Sequence, residues 1–245
     1  MNTATKALDY AVLAMAILLG AGSVALFAWD ARPTFVPMNW PPGVALTWDA
    51  LLSFGFFAQH SGMVRRGFRT RIAGVIPSRY DGAVYAISSG VALTLVVVFW
   101  QPAATPLLVL RGTPRGIATA CSVLAIVIFL VSMYTLRTFD PLGLRPIRAH
   151  LRGRADRPAP FVTRGPYLWV RHPLYSCILV LLWARPEMTA DRLLLAALWS
   201  AWIWAGAILE ERDLIAEFGE TYLRYRRQVP MLIPWRGRVT TDSLQ

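Results

Sequence analysis

The chain has 245 residues, of which 56% are hydrophobic and only 16% charged, with a mean hydropathy of +0.45. That balance excludes an ordinary soluble domain and fits an integral membrane protein. The net charge of +11 comes from 24 Arg and one Lys against 14 acidic residues, and these charges lie in the connections between apolar segments. They form no stripe with interleaved aromatics, so the basic balance points to a membrane surface and excludes nucleic acid as a partner.

In chain order, the first apolar run covers residues 8–29, long enough to cross ~30 Å of hydrocarbon. It has no A-x-A cleavage site near its end and reads as a retained span rather than a signal peptide. Pro33, Pro37, Pro41 and Pro42 break the chain over 30–42. Spans two, three and four follow at 43–60, 83–100 and 117–136, and then an Arg- and Pro-rich segment at 137–171. Residues 174–183 make a short apolar piece of ~15 Å as a helix. Residues 193–209 make a longer one, with a turn between the two and a helix start near Thr189. Cys121 and Cys177 both sit in apolar runs outside any C-x-x-C pattern, so neither a disulfide scaffold nor a zinc site is expected.

The arginines orient the chain. Nineteen of the 24 fall in 61–80, 137–171 and the tail after 211. The positive-inside rule then puts the N-terminus, both basic connections and the C-terminus in the cytoplasm, which reads as insertion in the inner membrane. The expected fold is all-α and integral to the membrane: four spans, a C-terminal helical hairpin and a cytoplasmic interfacial helix. In this topology Arg171-His172 and Glu210-Glu211 are the two cytoplasmic feet of the hairpin. Asp49 lies inside span two nearer the other face and receives no role, although an intramembrane acid is by default a functional suspect. In the tail, Leu214, Phe218, Tyr222 and Tyr225 recur at helical spacing, Glu220 and Arg224 stand four apart, and Gly219 marks a bend. Such a stripe serves either as a surface anchor or as a cover over the charged clusters.

Four stretches occur in a telling order: Gly165-Pro-Tyr-Leu-Trp-Val-Arg-His-Pro-Leu-Tyr175, Glu210-Glu-Arg-Asp-Leu, Phe218-Gly-Glu-Thr-Tyr-Leu-Arg-Tyr225 and Val229-Pro-Met-Leu-Ile-Pro234. Together they resemble the isoprenylcysteine carboxyl methyltransferase superfamily, membrane-embedded enzymes that use S-adenosylmethionine. Gln59-His60-Ser61 with Met63, Arg65 and Phe68, then Ile76-Pro77, Tyr85 and Pro186-x-Met188-Thr189, are similar to its methanethiol S-methyltransferase branch.

The resemblance implies a division into N-terminal transmembrane helices, 1–136, and a cofactor-binding methyltransferase region, 137–245. It implies a cofactor site built from Phe161, Val162, Tyr167, His172, Pro173, Tyr175 and Glu210. The charges of the cofactor extend that set to Arg171, as a partner for its carboxylate, and to Glu211, as an alternative to Glu210 for its ammonium or sulfonium. Singly, Arg171 reads as a snorkelling anchor and Tyr175 as a belt residue; in the family's spacing they read together as a clamp.

Two departures bear on the reaction. Cys177 stands where relatives often carry glycine, which narrows the cleft. Gly206 stands where prenylcysteine enzymes place an arginine for the substrate carboxylate, which argues for a small apolar or lipid-soluble acceptor such as methanethiol. S-methylation needs no metal, but it needs a thiolate, and a simple thiol has a pKa of roughly 8.5 or above. His60, at the end of span two, is the candidate base, with a purely interfacial role as its alternative. The other readings left open are a methyltransferase acting on a lipid or isoprenoid, and a non-catalytic membrane protein related to denitrification-associated members.

Overall fold

The computed structural model describes residues 2–28, 35–65, 68, 71, 74–136, 140–155, 161 and 163–239. Helix α1 (Thr3–Met15) runs through a π-turn at Ala16–Ala21 into α2 (Gly22–Ala28), as one apolar rod. Helix α3 (Pro42–Val64) begins with Pro42 in its first turn, where the missing N–H costs nothing. A 3₁₀ turn (Ser78–Tyr80) leads into α4 (Asp81–Phe99). Strand β1 (Pro106–Val109) precedes α5 (Gly112–Thr135), and α6 (Leu144–Leu151) follows. A 3₁₀ turn (Gly165–Leu168), α7 (Pro173–Trp183), β2 (Glu187–Thr189), α8 (Ala190–Phe218) and α9 (Glu220–Gln228) complete the order.

The molecule is an all-α integral membrane protein with a two-stranded ribbon. Among the described residues, four helical stretches are long and apolar enough to cross a membrane: Thr3–Ala28, Ser78–Phe99, Gly112–Thr135 and Ala190–Phe218. Their outward faces stay apolar: α5 leaves Ile117, Val123, Leu124, Val127, Leu130 and Val131 exposed, as lipid contact requires. Helix α3 covers the second expected span but falls outside this set, because Asp49, Gln59 and His60 dilute its apolar character. The ribbon was not foreseen. β1 and β2 pair antiparallel, with Leu108 opposite Met188 and Val109 opposite Glu187, and Leu110 N–H extends the ladder to the Pro186 carbonyl at 2.8 Å.

Contacts divide the chain into two compact units, each made of two stretches of sequence: Met1–Pro102 with Asp140–Pro158, and Ala103–Phe139 with Ala159–Gln245. These are units of packing and leave a functional boundary at 136/137 as an expectation. In the first unit, α4 packs against α3 and the π-turn. A Cβ on Gly90 would sit 2.3 Å from the Leu19 carbonyl oxygen, so that crossing needs a glycine, as close helix crossings in membranes commonly do. Helix α6 buries Leu144 and Ile147 among Val12, Leu13, Ala16, Tyr80 and Ala83. In the second unit, α7 packs along α5 and α8, and the Ser122 hydroxyl donates to the Ala184 carbonyl at 2.9 Å. Asp191 starts α8, accepting from the Thr189 hydroxyl at 2.5 Å and the Ala103 amide at 3.0 Å. At the far end, Gly219 adopts φ +56° and ψ −130°, a conformation L side chains avoid, and so turns α8 into α9 at the expected bend.

Candidate active site

The first turn of α7 is set by its sequence. Pro173 occupies the first helical position and is buried, so Arg171 and His172 are held just outside the helix. Their backbone amides do not join α7; they donate to the carbonyls of Pro230 (2.8 Å) and Met231 (3.1 Å) in the tail. Ser176 adds a hydroxyl bond to the Leu232 carbonyl at 2.6 Å. The Tyr225 hydroxyl donates to the Tyr167 carbonyl at 2.7 Å, and Val239 N–H to the Leu168 carbonyl at 3.0 Å. The Pro-rich segment after α9 is therefore a strap laid along the Arg-His-Pro motif.

The charges close over this strap. Arg171 Nε donates to Glu211 Oε1 at 2.6 Å, and both side chains are buried. Its Nη1 donates to the carbonyls of Arg226 (3.1 Å) and Val229. Arg226 Nε reaches Glu211 Oε2 at 3.3 Å, and His172 Nε2 lies 3.3 Å from Glu211 Oε1. Glu211 thus has two arginines and a histidine, and Arg171 is committed to Glu211 and the strap.

Glu210 differs from its neighbour. Its side chain is 46% exposed, and His172 Nδ1 lies 3.6 Å from its Oε2. The His172 ring stacks on Tyr175, with centroids 5.4 Å apart and planes 6° from parallel. The site therefore presents a half-exposed carboxylate beside a stacked imidazole and phenol, a donor set that fits a cationic ligand carrying a flat ring.

The tail stripe faces inward. Tyr222, Tyr225 and Val229 are buried with Phe161, Leu214, Ile215 and Phe218, and the Phe161 ring lies 5.1 Å from Phe218, 5.7 Å from Tyr222 and 5.4 Å from Tyr225. Glu220 pairs with Arg227 at 2.8 Å. Burial pushes the phenols of Tyr167, Tyr222 and Tyr225 up; the Glu210 charge adds to it at Tyr167, and the Glu211 charge at Tyr222. All three are neutral groups at any ordinary pH. Val162, expected beside Phe161, lies outside the described residues. Cys177 is buried one turn into α7.

His60 belongs to the first unit. The Tyr85 hydroxyl lies 2.6 Å from its Nε2, and the ring is 5.1 Å from that of Phe56. Asp49 is wholly buried and accepts from the Gln101 amide at 2.9 Å. Gln101 in turn bonds the Met38 amide and the carbonyls of Val36 and Phe99, so Asp49 anchors the connections at that end of α3 and α4.

A second buried acid went unread in the sequence. Asp9, wholly buried on α1, accepts from the Tyr80 hydroxyl (2.5 Å) and pairs with His150 Nδ1 (2.9 Å) and Arg79 Nε (3.4 Å). An acid in the run 8–29 was a signal of the same kind as Asp49. Arg226 was also missed; its place in a basic tail gave no sign of a partner in α8.

Comparison with known proteins places these residues in a context. A methanethiol S-methyltransferase of Pseudomonas sp. (strain GM41(2012)) is 37% identical over 210 residues, 83% of this chain and 81% of its own length. Methanethiol S-methyltransferase 2 of Bradyrhizobium diazoefficiens is 35% identical over 228 residues, 92% of this chain and 87% of its own. This chain belongs to the methanethiol S-methyltransferase family. Nurim of Rattus norvegicus is more distant, 30% identical over 186 residues, 69% of this chain and 68% of its own. No family profile matches the chain, and no solved structure matches it. In this chain the buried Arg171–Glu211 pair borders the half-exposed Glu210 carboxylate.

Proposed function

We propose that the protein is an integral membrane, S-adenosylmethionine-dependent methyltransferase that places a methyl group on the sulfur of methanethiol. The observation that carries this is the similarity to methanethiol S-methyltransferases at 37% identity over 83% of the chain. The half-exposed Glu210 beside the His172–Tyr175 stack agrees with it.

Bound there, S-adenosylmethionine supplies an electrophilic methyl on a sulfonium. Glu210 would hold its ammonium or sit near the sulfonium charge, with His172 and Tyr175 alongside, and Phe161, Val162, Tyr167 and Pro173 would complete the wall. Arg171 and Glu211 act mainly on each other: their ion pair fixes the motif and the strap, and so fixes Glu210. Residues 137–245 are the cofactor-binding region. As the new sulfur–methyl bond forms and the old one breaks, the thiol proton must go to a base, and His60 is assigned that role, with the Tyr85 hydroxyl orienting its ring. The product, dimethyl sulfide, is uncharged and leaves through lipid. The arginine distribution favours the inner membrane with both termini in the cytoplasm. Gly206, with no cation to meet a carboxylate, argues against a prenylcysteine acceptor, and the enzyme names of the relatives weigh against a non-catalytic reading.

The test is to incubate purified protein with methyl-labelled S-adenosylmethionine and a panel of thiols and lipid extracts. Label in a volatile sulfide supports the reading. Label only in the lipid phase replaces methanethiol with a lipid acceptor, and no transfer to either overturns it.

A further inference from the structure

In the first unit, residues 2–6 of α1 and 150–153 at the end of α6 border an open groove of about 630 Å³, lined by Asn2, Thr5, Lys6, His150, Leu151 and Gly153. Nothing in the methyl-transfer scheme uses it. Its polar wall is built from within. His150 Nδ1 is held by the wholly buried Asp9 at 2.9 Å, which leaves Nε2 as the remaining polar atom of that ring. Asp9 itself is paired with Arg79 and bonded to His150 and the Tyr80 hydroxyl.

The surroundings are cationic and unspent. Lys6, Arg148, Arg152 and Arg154 are all exposed, and among the described residues none of them forms an ion pair. Helix α6 buries Leu144 and Ile147 in the core, while Arg148 on it and Arg152 just past its end stay exposed. The groove's level is also given. Two residues beyond Lys6, ~3 Å along the helix axis, α1 begins to expose Leu8, then Tyr10 and Met15, and the π-turn exposes Leu18. A groove that sits where lipid-facing surface begins is at the height of phospholipid headgroups, where basic side chains attract anionic lipid.

We propose that this groove binds the phosphate headgroup of an anionic phospholipid of the surrounding bilayer, with Lys6 and His150 as its direct contacts and the arginines of α6 as its field. A soluble phosphate offers the same chemistry, but the position at the start of the lipid-facing surface commits the site to the bilayer.

The test uses the full chain in phosphatidylcholine nanodiscs, titrated with phosphatidylglycerol, with extra phosphatidylcholine and with inorganic phosphate, and read by native mass spectrometry. Phosphatidylglycerol should bind saturably. Lys6→Gln should weaken that binding about fivefold, while Arg238→Gln, which removes the same charge from the exposed tail, leaves it unchanged. Lys6 is exposed, so its variant keeps the parent's unfolding midpoint in phosphatidylcholine alone. Equal affinity in Lys6→Gln and parent, an equal loss in both variants, or displacement by inorganic phosphate at matched concentration would each overturn the proposal.

Discussion

Two regions of this molecule solve one problem with the same parts and different outcomes. In the first unit, Asp9 is buried against Tyr80, Arg79 and His150; in the second, Glu211 is buried against Arg171, Arg226 and His172. Each is an acid in an apolar helix, made tolerable by an arginine and a histidine from elsewhere in the sequence. The difference lies next door. Glu211 has a second acid, Glu210, beside it in the chain and half exposed, whereas Asp9 stands between Leu8 and Tyr10. One cluster is closed on its buried acid; the other sets a half-exposed carboxylate, 3.6 Å from His172, beside its buried one. On the proposed function, the second acid of the Glu-Glu pair is the structural one and the first meets the ligand.

The largest expected effect comes from Glu211→Ala. It strands the Arg171 guanidinium, a buried charge, and should cost about 3–5 kcal/mol, seen as a collapse of the unfolding midpoint in detergent or a failure to express. Asp9→Asn should cost less, about 2 kcal/mol, because Arg79 and His150 are partly exposed and can turn to water. If Asp9→Asn proves the more damaging, the comparison is reversed. Glu210→Gln should leave the midpoint within about 0.5 kcal/mol of the parent and yet weaken S-adenosylhomocysteine binding at least tenfold by calorimetry, since a charge-assisted contact is lost. An unchanged affinity would rule out the ammonium contact, because S-adenosylhomocysteine keeps the ammonium and lacks the sulfonium. The smallest effect is that of Tyr225→Phe, which removes the 2.7 Å bond to the Tyr167 carbonyl and should lower stability by about 1 kcal/mol.

Much of this was written in the sequence. Apolar runs marked the helices, Gly219 marked the bend where α8 ends, and arginine placement brought Arg171-His172 and Glu210-Glu211 to one end of the α7–α8 hairpin. What stayed hidden was pairing. Asp9 meets His150 across 141 residues, and Arg226 meets Glu211 through a turn that only the Gly219 conformation defines. The ribbon was missed because Leu107 to Leu110 is too short a run to tell from a loop among apolar segments. The direction of the tail stripe was open for a related reason: periodicity shows that Phe218, Tyr222 and Tyr225 share a face, and only packing shows that the face meets Phe161. Asp49 was flagged by its location and explained by its partner, Gln101, which nothing in the local sequence joins to it.

The most direct test of the account is headspace gas chromatography of purified protein given methanethiol and S-adenosylmethionine, with Glu210→Gln run beside it. Dimethyl sulfide is expected from the parent and little from the variant, at matched unfolding midpoints. No dimethyl sulfide from a folded parent would contradict it.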